Sequence, residues 1–301
     1  MKPGKRGTER GKRMASLMMN AVRLALKAAG KPMNKPARYL AERENREDPI
    51  RVDPPPGIDV SYDEIGECGF FRVTPPGPLS NRMIYFHGGA FVNPMRKVHW
   101  NLIARLGEVL RAEMIVPTYP LAPQNDHRPA HAQARALLQA QEGRPFLMGG
   151  DSAGGNLALA MALAGRTGDV PKADRLILLA PWLDLTCANP KGPALEPKDP
   201  IIGLKVVRQC GKWWAGPEDP RAPHLSPLFG PVDGLPPIDI HQGTADLCWP
   251  DASDYATRLA AAGNTGRYYE YPGAIHVFPA VTFLPESKLA YRRIERDALG
   301  S

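Results

Sequence analysis

From Met83 to Tyr271, short apolar runs alternate with segments of helical period. Met83–Phe86, Met114–Val116, Phe146–Met148, Leu176–Leu179, Ile238–His241 and Arg267–Tyr271 read as strands. Val98–Leu110, Ala130–Gln141, Asn156–Ala164 and Asp251–Ala262 read as the helices between and after them. A strand that is apolar throughout has no face to offer to water, so it must lie in a sheet covered on both sides. Helical connections supply the covers and make neighbouring strands parallel. The pattern therefore predicts an α/β chain. Two polar-alternating segments, Ile58–Asp63 and Gly69–Val73, add strands ahead of it.

The alternation fails between Cys187 and Gly230, which hold eight prolines around one helical piece, Gly203–Trp214. A break of that length reads as an insertion over one edge of the sheet, the kind of segment that forms lids and binding elements. The N-terminus is different again. Residues 1–46 carry 13 Lys/Arg against three acids, although the whole chain has a net charge of only +7. Residues 1–12 have no apolar face and read as disordered, while Met14–Ala29 reads as an amphipathic helix. Such an arm is a solvated tail or a weak contact of residues 1–30 with an anionic membrane surface; no nucleic-acid partner is expected. Arg23 and Lys27 interrupt the stretch that most resembles a signal peptide, which argues against export. The four cysteines show no CxxC spacing and no pairing with histidines, so they read as free thiols in a reducing cytoplasm and give no zinc signature.

The segment "FLMGGDSAGGNLALAMALA" contains Gly150-Asp151-Ser152-Ala153-Gly154, a GxSxG between a strand and a helix. A serine becomes a nucleophile when a sharp turn exposes its hydroxyl and a base takes its proton. Of the seven histidines, His276 follows a late strand and a Pro-Gly turn, in the order Ser…Asp…His. Asp246 lies in the loop after Ile238–His241, whereas Asp251 reads as a helix N-cap. Ser152, Asp246 and His276 are the candidate catalytic residues. The strand Met83–Phe86 ends in His87-Gly88-Gly89, and glycines after a strand let backbone N–H groups approach a developing oxyanion. Gly88, Gly89 and Ala153 are the candidate donors, His87 organises the loop, and Ala90 is expected at negative φ. Phe91, Tyr119, Trp182, Trp213, Trp214 and Phe278, with Trp100 beside them, are the aromatic candidates for a substrate pocket.

Six collinear motifs over roughly residues 70–280 carry a family resemblance. They are HGGAF (87–91), YPLAP (119–123), GDSAGGN (150–156), APWLDLT (180–186), GTADLCWPDA (243–252) and YPGAIHVF (271–278). The set resembles the hormone-sensitive-lipase-like, or bacterial family IV, esterases of the α/β-hydrolase fold. The resemblance implies a mostly parallel eight-stranded sheet with helices on both faces and a helical cap. The cap would be residues 1–50 plus the insertion 187–230, over a core of 51–186 and 231–301. It also implies the triad and donors named above, short-chain acyl esters as substrates, no cofactor or metal, and homodimers paired through the last strand. Three positions depart from the family pattern: Ala90 for a third glycine, Pro120 for an arginine, and Gln124 for a glutamate. The leading expectation is a serine carboxylesterase. An amidase of the arylformamidase kind would use the same triad, and a non-catalytic ligand-binding receptor would use the same fold.

Overall fold

The computed structural model describes residues 9–10, 14–31, 36–44 and 52–300. The elements in chain order are β1 (Glu9–Arg10), α1 (Leu17–Ala29), α2 (Pro36–Glu44), β2 (Asp59–Ile65), β3 (Cys68–Thr74) and β4 (Asn81–Phe86). There follow α3 (Lys97–Leu110), β5 (Ala112–Pro117), α4 (His127–Gln139), β6 (Leu147–Asp151), α5 (Ala153–Thr167) and β7 (Arg175–Leu179). The chain closes with α6 (Gly192–Leu195), α7 (Leu204–Ala215), β8 (Ile238–Gly243), α8 (Trp249–Ala261), β9 (Tyr268–Tyr271) and α9 (Pro285–Leu299).

The strands form one sheet in the order β1-β9-β8-β7-β6-β4-β5-β3-β2. β2 runs antiparallel to β3 and β3 to β5; the other neighbours are parallel. Eight strands match the expected mostly parallel sheet, and the two-residue β1 is an addition. Glu9 and Arg10 fall in the segment read as disordered, yet they pair with Tyr269 and Glu270 along the outer edge of β9. A homodimer paired through β9 would have to displace them. The rest of that segment, residues 1–8 and 11–12, lies outside the described residues.

The central strands are buried as their composition requires: every residue of β6 and β8 is buried, and so are the last four of β4 and of β7. α5 is buried along most of its length. It can be, because its face is built from Ala, Gly and Leu and lies against the sheet. α9 was not legible in the sequence. Its buried stripe is Ser287, Ala290, Tyr291 and Ile294, a helical spacing in which only Ile294 is a large aliphatic residue.

The N-terminal helices and the 187–230 insertion meet above the sheet. Ser16 caps α1 by accepting from the Met19 N–H at 3.0 Å, and its own N–H donates to Glu286 on α9 at 2.7 Å. Met19 is fully buried among Tyr269, Tyr271, Ile275 and Phe278, while Leu17 and Leu24 face outward. Lys31 donates to the carbonyl oxygens of Glu196 and Ile202, at 2.6 and 2.9 Å, and so ties the segment after α1 to the insertion. Gln124 donates to the Arg43 carbonyl at 3.0 Å, so the position where the family has glutamate holds α2 here. Among the described residues no helix is long and apolar enough to cross a membrane.

α7 is fastened by Trp214, which is fully buried and stacks on Phe91 with ring centroids 3.8 Å apart and planes 1° from parallel. This contact joins the insertion to the loop after β4. Trp214→Ala should therefore destabilise the protein by about 3–5 kcal/mol, read as a lower denaturation midpoint in urea. Trp213→Ala, one position away on a partly exposed side chain, should change the midpoint far less.

Candidate active site

β6 passes into α5 through Ser152, whose backbone sits at φ 52° and ψ −118°. A residue with a Cβ held at positive φ costs on the order of 1–3 kcal/mol, and the surrounding packing has to impose it. The crossing is possible because Gly154 lacks a Cβ: one placed there would overlap the Phe86 carbonyl of the neighbouring strand. The turn lifts the Ser152 hydroxyl off the end of the sheet.

His276, in the loop after β9, meets that hydroxyl with Nε2 2.9 Å from Ser152 Oγ. Its Nδ1 lies 2.9 Å from Asp246 Oδ2. Asp246 is fully buried and further held by Gln242 Nε2 at 2.7 Å and by the Cys248 N–H at 2.8 Å. Burial alone would lower the pKa of His276. The negative charges of Asp246, Asp199 and Asp151 outweigh it, so the imidazole is held above its ordinary range. Asp251 is not the N-cap that the sequence suggested. α8 begins at Trp249, and Asp251 lies in its first turn, accepting from Asn189 Nδ2 at 2.8 Å. Asp246, Cys248 and His276 stand close enough to share a metal ion. Burial holds the Cys248 thiol well above its ordinary pKa, however, and a neutral thiol is a poor ligand.

The glycine turn departs from expectation in two ways. Gly88 does not offer its N–H to the space beside Ser152; that N–H donates to Asp151 Oδ1 at 3.0 Å. Ala90 sits at φ 55° rather than at negative φ, and Phe91 follows at φ 61°. The cause is the Gly89 carbonyl, which accepts from Val92 N, Asn93 N and Asn93 Nδ2 at 3.1, 3.0 and 2.9 Å. Turning that carbonyl inward requires the left-handed bend, at about 1–2 kcal/mol for a residue with a Cβ. It also leaves the N–H groups of Gly89 and Ala90, with that of Ala153, without an acceptor among the described residues. His87 does organise the loop. Its Nδ1 lies 2.7 Å from the Gly88 carbonyl oxygen, its ring stacks on Tyr119 at 4.5 Å, and its carbonyl accepts from the Tyr119 hydroxyl. Burial, and then the nearby His99, push its pKa down to about 3, so it stays neutral.

A cavity of about 340 Å³ opens in front of Ser152 and His276. Its wall includes Ile201, Ile202, Leu204 and Val207 from the insertion, Leu26 from α1, and Leu247 from the loop of Asp246. Of the aromatic candidates only Trp182 lines it. Phe91 and Trp214 are consumed by their mutual stacking and Tyr119 by His87. Phe278 is buried against Tyr271, Trp100 packs on Phe71, and Trp213 lies outside the lining. The pocket is aliphatic because a Pro-rich segment with no readable period folds its isoleucines inward.

Asp199 carries no motif and was not anticipated. It is fully buried. Its Oδ1 accepts from the N–H groups of Ile201 and Ile202 at 2.7 and 2.9 Å, and its Oδ2 from Leu247 N at 2.9 Å. One carboxylate thus holds two walls of the cavity and the loop that carries Asp246. Burial, and next the charge of Asp246, raise its pKa to about 6, while His276 opposes the shift.

A family model for the alpha/beta hydrolase fold matches residues 83–280. The LipR protein of Mycobacterium tuberculosis is 33% identical over 229 residues, which is 72% of each chain. Esterase LipU of the same organism is 30% identical over 252 residues, 76% of this chain and 82% of that one. The crystal structure of a hormone-sensitive lipase from a metagenome library superposes with a TM-score of 0.81 at 25% identity, covering 96% of this chain and 99% of that one. With the strand order, the elbow at Ser152 and the cavity before it, these likenesses assign the family: the chain belongs to the α/β-hydrolase fold, in its hormone-sensitive-lipase-like branch of carboxylic ester hydrolases.

Proposed function

We propose that this chain is a serine carboxylesterase that hydrolyses short-chain acyl esters through a covalent acyl-enzyme. The observation that carries the proposal is the continuous relay from Ser152 Oγ to His276 to Asp246, with 2.9 Å at each step. Its serine end opens on an aliphatic cavity. Ser152 Oγ attacks the ester carbonyl while His276 Nε2 takes its proton. Asp246 accepts from Nδ1–H, which fixes the tautomer and steadies the imidazolium that forms. The oxyanion develops beside the N–H groups of Gly89, Ala90 and Ala153, each worth about 3 kcal/mol of barrier lowering in such a site. His276 then gives its proton to the leaving alcohol. It next activates the water that cleaves the acyl-enzyme, so the cycle draws on side chains, backbone and water.

The cavity supports the short-chain reading, since 340 Å³ is near the lower end of small-molecule sites. α1 and the insertion act in this reading as a cap, because each contributes wall to the same cavity.

Three outcomes test the proposal. Ser152→Ala should lower the hydrolysis of p-nitrophenyl butyrate by a factor on the order of 10⁴–10⁶, and residual activity within about tenfold of wild type would sink it. A matched ester and amide of one aromatic acid, assayed side by side, should give a clear excess of ester turnover. The reverse result would assign the chain to the amidases.

The third outcome concerns pH. The base must be neutral to accept the serine proton, so activity falls on the acid side as His276 is protonated, at a pH above the ordinary histidine range. The charge of Asp199 helps to raise that value. Asp199→Asn removes the charge and should move the acid limb of the kcat/KM profile to lower pH; an unmoved or upward-shifted limb would contradict the assignment of His276 as the base.

A further inference from the structure

We propose that His127, Glu218 and His224 form a binding site for a divalent transition-metal ion of the zinc type, separate from the candidate active site. His127 begins α4, and the other two residues belong to the insertion after α7. Their ligand atoms lie within 4.8 Å of one another. Glu218 stands between the histidines, with Oε1 3.3 Å from His127 Nε2 and Oε2 2.9 Å from His224 Nε2. Zinc bonds of about 2.0–2.2 Å in tetrahedral geometry separate neighbouring donors by roughly 3.4 Å. The donors are therefore already near the spacing that an ion requires.

The ring orientation of His127 is a second, independent observation. Its Nδ1 lies 3.2 Å from the Trp214 carbonyl oxygen. A carbonyl only accepts, so Nδ1 carries a hydrogen and, in the neutral ring, Nε2 presents a lone pair. That lone pair faces a carboxylate oxygen. Two acceptors held face to face need a positive charge between them, either a proton or a metal ion. A metal-bound histidine almost always donates its other N–H to a carbonyl or carboxylate in this way.

The setting favours the ion. His127 is buried, which fixes one ligand, while Glu218 and His224 are exposed and leave a path of entry and room for a water ligand. His131 lies one turn further along α4. Its ring centroid is 5.1 Å from that of His127 and 6.1 Å from that of His224, and its buried Nε2 has no partner among the described residues. Arg128, the nearby cation, is already held by Asp126. Two histidines and a carboxylate are a donor set suited to zinc. An ion there would clamp the insertion to α4 directly behind Trp214, and so behind the Phe91 stack.

Equilibrium dialysis of the full chain against zinc, after removal of metal with a chelator, tests the site. Wild type should bind a single ion per chain and melt at a higher temperature with zinc present. His224→Ala and Glu218→Gln, both at exposed positions that leave the core intact, should weaken the affinity at least tenfold and abolish the zinc-dependent rise in Tm. Failure of wild type to bind at micromolar free zinc would overturn the proposal, as would affinity unchanged in His224→Ala. Binding lost instead in His276→Ala would place the ion among Asp246, Cys248 and His276 and would equally overturn it.

Discussion

The arrangement rests on one carboxylate oxygen. Asp151 Oδ1 accepts from the Tyr85 hydroxyl at 2.8 Å and from the Gly88 N–H at 3.0 Å, all of it buried. Tyr85 lies near the end of β4 and Gly88 in the turn just after it, whereas Asp151 ends β6 and precedes Ser152. The bond to Gly88 therefore joins the loop bearing the free N–H groups to the residue before Ser152. Two strand ends that are merely adjacent in a sheet could slide or splay by an ångström. A shared acceptor in a low-dielectric site removes that freedom, because breaking it would strand a buried charge.

Seen from that point, the deviation at Ala90 is a consequence. With the Gly88 N–H committed to Asp151, the next two amides are left without an acceptor among the described residues. The left-handed turn at Ala90 and Phe91 goes with the inward-turned Gly89 carbonyl, which is bonded to Val92 and Asn93. The aromatic residues around the loop are its scaffold: Tyr119 holds His87, and Trp214 holds Phe91. Large rigid rings lock a backbone conformation, while isoleucine, leucine and valine line much of the cavity.

The insertion reaches the site by polar contacts as well as by packing. Asp199 collects three backbone N–H groups, one of them from the residue after Asp246. A movement of the 199–202 segment would therefore be felt both in the cavity wall and at Asp246, the hydrogen-bond partner of His276. Lys31 reaches the same segment from just beyond α1, so three parts of the chain that are distant in sequence share one small region.

The layered parallel sheet was legible in the sequence, because burial on both faces leaves continuous apolar runs that no other arrangement would tolerate. So were the sharp turn at Ser152 and the order of serine, aspartate and histidine, because local backbone geometry restricts which residues stand there. What the sequence could not reveal depends on partners far along the chain. Nothing near Gly88 announces that its N–H is taken by Asp151, 63 residues away. Nothing in a proline-rich segment shows that Asp199 will be buried beside Asp246, or that its isoleucines rather than the conspicuous tryptophans will line the cavity. Periodicity and turn chemistry are properties of a few consecutive residues. The choice of donors, the lining and the electrostatics of the site were decided only when distant segments packed together.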